Sequence, residues 1–174
     1  GKYQILNVKD ESGFLLWPTK CAYQNGTTYP YTVASSPNAK ANGDLLERFV
    51  ASNKKHGIRS GIYYLGWGNF FMNITNSGAT YDCSIDTPQT REFIHMQLCH
   101  LEELYSQYEF SEIWFDGGAP CLKSYEDAIA NLTLFYQGKR AVAFQGPTNY
   151  PNDIRWVGTE AGVAPPDTWS ATES

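Results

Sequence analysis

Two carboxylates stand where strand-like runs stop. Asp116 closes Ser111-Glu112-Ile113-Trp114-Phe115-Asp116-Gly117-Gly118, an apolar, β-favouring stretch that ends in an acid and two glycines. Glu160 follows Asp153-Ile154-Arg155-Trp156-Val157-Gly158-Thr159 in the same manner. An Asp-Gly turn alone produces such a pattern, but the carboxyl ends of parallel strands are also where rigid backbone delivers side chains to loops that converge on one face. Two carboxyls about 5 to 5.5 Å apart on such a face can cleave a glycosidic bond with retention. Asp116 suits the nucleophile, held ionised by hydrogen bonds, and Glu160 the acid/base, kept protonated by partial burial.

Aromatic side chains surround these positions. Trp17, Trp67, Trp114 and Trp156 fall at or near strand ends, where flat rings can stack on a sugar or wall off a site. Asp10 and Glu11, in the polar cluster Lys9-Asp10-Glu11-Ser12-Gly13-Phe14, and Tyr64, near the end of a second strand, complete the expected substrate-facing set. His95 and His100 lie five apart, on different faces of one helix, so they make no helical two-histidine metal pair. His56 fits a helix C-cap.

The elements that must position these groups alternate. Strands are expected at Tyr3–Val8, Ile58–Leu65, the run ending in Asp116, Arg140–Gln145 and Asp153–Val157. A helix beginning at Asn42 or Gly43 carries Leu45, Leu46, Phe49 and Val50 at helical spacing and stops at Gly57. The longest helix opens at Asp86-Thr87-Pro88, with Phe93, Ile94, Leu98, Leu101, Leu104, Tyr105 and Tyr108 as its apolar stripe and Glu102 and Glu103 on its solvated face. A short helix starts at Ser124, and Thr19 to Asn42 reads as a long ordered loop. Alternation of this kind selects an α/β parallel sheet. No Gly-x-Gly-x-x-Gly and no phosphate loop occurs, and chemistry-bearing residues recur at successive strand ends, so the expectation is a partial TIM-like (β/α) barrel of about five strands. Residues 1–174 then form a single catalytic-domain segment, since a complete eight-stranded barrel takes roughly 250 residues.

Composition narrows the class of partner. A net charge of -5 without a basic cluster argues against nucleic acid and anionic membrane surfaces. No run of about 18 apolar residues exists to span a bilayer. Sequons at Asn25-Gly26-Thr27, Asn73-Ile74-Thr75 and Asn131-Leu132-Thr133 point to a secreted, N-glycosylated protein. Cys21, Cys83, Cys99 and Cys121 match no zinc spacing; they allow two disulfides in three connectivities, or buried thiols.

These stretches carry a resemblance. Glu112 to Gly118 is similar to the nucleophile signature of the α-L-fucosidases of glycoside hydrolase family 29. Gly13-Phe14-Leu15-Leu16-Trp17-Pro18-Thr19, Gly61-Ile62-Tyr63-Tyr64-Leu65, Phe144-Gln145-Gly146-Pro147 and Asn152 to Glu160 resemble further landmarks of that family in the same order. The resemblance implies a barrel-like catalytic domain, exo-acting release of terminal α-linked L-fucose from fucosylated glycans with retention, and neither metal nor organic cofactor. It places Asp116 on the nucleophile and Glu160 on a position that some branches use for the acid/base.

Three departures qualify what the resemblance implies. The family often carries Lys-His-His-Asp-Gly-Phe where this chain has Lys9-Asp10-Glu11-Ser12-Gly13-Phe14, so two acids replace two neutral imidazoles near Asp116. The family's first strand is expected before Tyr3, and its last strands and C-terminal β-sandwich after residue 174. A partial barrel would expose strand edges, to be covered by self-association or by more chain. A carbohydrate-binding relative without hydrolysis, and an exo-glycosidase of the same fold with another sugar, are the alternatives.

Overall fold

The computed structural model describes residues 1–37, 39, 43–75, 84–116, 141–144, 153–154 and 161–163. Five strands, β1 (Tyr3–Lys9), β2 (Arg59–Leu65), β3 (Glu112–Asp116), β4 (Val142–Phe144) and β5 (Asp153–Ile154), form one sheet in the order β1-β2-β3-β4-β5. Every pairing is parallel. That sequential order, in which each strand lies beside the next, is the order of a barrel; a doubly wound sheet reverses its order part-way.

Two helices are described, α1 (Leu45–Lys55) and α2 (Pro88–Gln107). The Asp44 carboxylate caps α1 by accepting from Glu47 N at 2.9 Å, and His56 caps its carboxyl end after a last turn bearing Lys54 and Lys55. Thr87 caps α2 with Thr90 in a reciprocal capping box, and Pro88 occupies the first turn, where its missing N–H costs nothing. Leu46 of α1 and Met96, Leu101, Leu104 and Tyr105 of α2 pack with Ile62, Tyr64, Ile113 and Phe115 into one core. Strand alternation leaves Tyr63, Glu112, Trp114 and Asp116 on the opposite face. Both described helices therefore cover the same side of the sheet, as in a barrel wall.

The long ordered loop after β1 folds back over α2, and of the alternatives open for its cysteine a disulfide forms, joining Cys21 to Cys99 with Cα atoms 5.9 Å apart. Cys83 and Cys121 lie outside the described residues. Glu103, expected on the solvated face of α2, is buried beneath this loop: its carboxylate accepts from the Trp17 indole (2.8 Å), the Thr19 hydroxyl and the Lys20 amide (2.7 Å). An ionised side chain supplied with three donors can be buried where helical periodicity alone would expose it. The helix expected from Ser124 lies outside the described residues. Asn25 and Asn73 are exposed, Asn73 with φ 57° at the end of the 3-10 turn Phe70–Met72.

Candidate active site

The site grows from the carboxyl ends of the first three strands. Asp116, the last residue of β3, pairs in register with Leu65, and its carbonyl accepts from Gly66 N at 3.0 Å, closing the end of the β2–β3 ladder. Tyr63 sits opposite Trp114, and its hydroxyl donates to Asp116 Oδ2. Rings floor the site: Trp114 meets Tyr63 at 5.7 Å between centroids and Phe144 at 4.7 Å. Burial pushes the Tyr63 phenol up, reinforced by the hydrogen bond to Asp116, by that carboxylate's charge, and then by Asp10 and Glu11. Tyr63 is thus a fixed donor at physiological pH, and three carboxylates act on one point of the sheet face.

β1 delivers Asp10 and Glu11 to this place through a register irregularity. Asn7 pairs with Tyr63 but Lys9 with Tyr64, so Val8 and Lys9 are both buried. The Lys9 ammonium donates to the Leu65 carbonyl at 2.6 Å and to the Gly68 carbonyl, and it lies 5.1 Å from the Tyr64 ring centre and 5.8 Å from that of Phe93. Burial lowers its pKa to about 7, against the pull of Asp10 and Glu11. It pins the turn Gly66-Trp67-Gly68, in which Trp67 is half-buried. A Cβ on Gly68 would come within 3.2 Å of Glu11 Cγ, so the glycine admits the Glu11 side chain. Asp10 is exposed, with Oδ1 accepting from the Ser12 amide (2.9 Å) and hydroxyl. At Gly13 (φ 83°) a Cβ would collide with the Asn69 carboxamide, which ties the β1 loop against the β2 loop.

Of the residues expected to face a substrate, Asp116, Trp114, Trp67, Asp10 and Glu11 are brought around one sheet end. Trp17 is not among them: it is 0% exposed, its ring edge-on to His100 at 5.4 Å and its indole bonded to Glu103. The β1 loop carries it under the sheet, where an indole with a satisfied N–H is a core residue. Tyr64 is also buried, its hydroxyl 3.2 Å from His100 Nδ1, because adjacent strand residues face opposite ways and Tyr63 takes the site side. Glu160 and Trp156 lie outside the described residues. Sequence reasoning missed Tyr63 and Lys9. Strand parity could have found Tyr63, since it shares a sheet face with Asp116; nothing in the pattern signalled Lys9. Among the described residues no group of three His, Cys, Asp or Glu side chains could hold a metal ion.

A sequential parallel sheet with helices on one side, and a carboxylate over an aromatic floor at the strand ends, is the arrangement of a partial (β/α) barrel with its candidate site on the carboxyl-end face. The Alpha-L-fucosidase family model matches residues 1–154, and the chain belongs to that family. It is 31% identical over 173 residues to Alpha-L-fucosidase 1 of Arabidopsis thaliana, covering 95% of this chain and 29% of the relative. The Putative alpha-L-fucosidase 1 of Oryza sativa subsp. japonica is 32% identical over 170 residues, with 28% of its length covered, so the chain spans less than a third of either. Among solved structures it is similar to a provisionally named alpha-L-fucosidase from Bacteroides thetaiotaomicron, at 29% identity and TM-score 0.64 over 91% of this chain and 31% of that one. The Thermotoga maritima alpha-fucosidase in complex with fucose shares the fold, with TM-score 0.66 and 23% identity over 86% of this chain and 33% of that one.

Proposed function

We propose that this chain is part of the catalytic barrel of a retaining exo-α-L-fucosidase acting on terminal α-L-fucose of fucosylated oligosaccharides or glycoconjugates. The observation that carries the reading is the Tyr63 hydroxyl donating to Asp116 Oδ2 at the end of β3, in a chain matched by the fucosidase family model. With Oδ2 engaged, Oδ1 is the oxygen that attacks the anomeric carbon. Glu160 protonates the departing glycosidic oxygen, and the aglycone leaves. The glycosyl ester on Asp116 is then hydrolysed by water that Glu160, now a carboxylate, deprotonates, and Asp116 departs as the anion it began as. Tyr63 favours that departure by donating to the charge that reappears on Oδ2. Trp114 and Trp67 bound the space for the sugar, with Asp10 and Glu11 accepting from its hydroxyls. No step calls for a cofactor.

One observation favours a second reading, that of a sugar-binding relative without hydrolysis: Asp10 and Glu11 place two acids where the family often has two imidazoles, within electrostatic reach of Tyr63. Secretion is supported by the Cys21–Cys99 disulfide and by the exposed sequon at Asn25. The deciding experiment measures fucose release from fucosylated oligosaccharides by the full-length protein that contains this chain and by its Asp116→Ala form. Release that disappears in the variant supports the fucosidase; sugar binding without release by either form supports the second reading. Mass labelling of the Asp116 peptide by a 2-fluoro-fucosyl fluoride identifies the nucleophile.

A further inference from the structure

An aromatic cluster at the rim of the site touches the core only where Phe71 meets buried Tyr29 edge-on at 5.4 Å, and it has no part in the reaction as derived. Phe70 and Phe71 are 49% and 42% exposed, among the largest exposures of any apolar side chain described. Tyr31, 36% exposed, stacks on Phe71 with ring centres 4.9 Å apart and planes 17° from parallel, and Phe14 meets Tyr31 edge-on at 5.0 Å. Side chains of this size are normally withdrawn from water, and a contiguous exposed group of them marks a binding surface.

Its location says what it binds. Phe70 N donates to the Glu11 carbonyl at 2.7 Å and Phe71 N to the Ser12 carbonyl at 3.3 Å, so the pair is bolted to the loop that carries Asp10 and Glu11. Phe70 follows by four residues the Gly66 amide that holds the Asp116 carbonyl. The support is rigid. Asn69 caps the turn through Met72 N (3.1 Å), exchanges backbone bonds with Ile74 (2.9 and 3.0 Å), and donates to the Tyr29 hydroxyl at 3.1 Å, which itself donates to the Gly13 carbonyl at 2.7 Å. Aromatic rings carried on a fixed turn beside a glycosidic site, with Phe71 itself packed between Tyr29 and Tyr31, offer faces to the C–H side of a pyranose at little entropic cost.

The geometry points to a leaving-group subsite: Phe70 and Phe71, backed by Tyr31, form a platform for the sugar to which the terminal fucose is attached. This rests on the glycosidase reading and extends it from the cleaved sugar to its neighbour. The test compares α-L-fucosyl fluoride, which has no second sugar, with a fucosylated trisaccharide. The protein is made in a bacterial periplasm, so that the disulfide forms and Asn73 carries no glycan. In Phe70→Ala the ratio of kcat/KM for trisaccharide over fluoride should fall about tenfold, the factor carried by about 1.4 kcal/mol of stacking, chiefly through KM. Phe70→Tyr should restore it. An unchanged ratio, whether both substrates suffer together or neither does, overturns the platform. If the unsubstituted protein turns over neither substrate, the hydrolytic reading fails, and saturation-transfer NMR with a fucose-free galactose–N-acetylglucosamine disaccharide decides the platform: transfer lost in Phe70→Ala supports it, and no transfer to the disaccharide overturns it.

Discussion

Tyr63 and Asp116 lie diagonally across the β2–β3 ladder: each is two residues from the register partner of the other, both project to the face away from the helices, and the phenol donates to the carboxylate. Diagonal neighbours in a sheet are within reach of long side chains, so the contact follows from register and needs no loop to make it. Tyr63→Phe keeps the ring on Trp114 and removes only the donor. The expected result is a fall in kcat of about 10² with a smaller change in KM, measured on a fucoside whose second step is rate-limiting, because the lost bond matters most as charge returns to the carboxylate.

Lys9 is expected to act through the turn it holds. In Lys9→Met the Leu65 and Gly68 carbonyls lose their buried donor, at a cost of about 1 to 3 kcal/mol each, partly offset because no ammonium need then be desolvated. Thermal unfolding should drop by several degrees, and Trp67 emission should shift to the red as the turn loosens.

Two buried bases make stability depend on pH in separate windows. Burial, and then the charge of Lys9, lowers the His100 pKa from 6.5 to about 3. The unfolded chain takes up that proton first, so stability falls as pH drops from about 6.5 towards 3. Lys9, lowered from 10.5 to about 7, gives a rise in stability as pH increases from about 7 to 10.5, where the unfolded chain still holds a proton that the folded one has shed. Urea midpoints against pH should show both slopes. His100→Gln should flatten the acid one and Lys9→Met the alkaline one.

The disulfide joins residues 78 apart in sequence. Closing a loop of that length in the unfolded chain should contribute about 4.5 kcal/mol by its chain entropy. Replacing Cys21 and Cys99 together by Ala should lower the urea midpoint accordingly, and most of the loss should be absent from a Glu103→Gln variant, which keeps the covalent tie and weakens only the polar one.

The frame was legible because its signals are periodic. All five strands and both described helices were visible as apolar runs and stripes, with end signals such as Thr87-Pro88 and Gly57, and sequential β–α alternation implied the parallel order; the first helix starts at Leu45 behind Asp44, a little later than the Asn42 or Gly43 expected. Asp116 could be read because a strand ending in an acid is a local event. Glu103 and Trp17 were misplaced because the side a residue faces is decided by what packs on it, and the loop covering α2 reaches partners 68 or more residues away in sequence. Tyr64 was misplaced because the alternation of β2 puts its neighbour Tyr63, and not Tyr64, on the side of Asp116. Lys9 was hidden by the irregularity in β1, which breaks the parity that sequence reading depends on.

The order of the sheet has a consequence for how the chain is made. Each strand pairs with the one synthesised just before it, so the sheet can be laid down in step with its emergence from the ribosome. The loop after β1 cannot follow that schedule. Trp17, Thr19, Lys20 and Cys21 all find their partners on α2, at Glu103 and Cys99, and must wait until that helix has emerged. During that interval Trp17 and the Cys21 thiol are without their native partners on the nascent chain, so oxidation to the native disulfide has to follow the synthesis of α2.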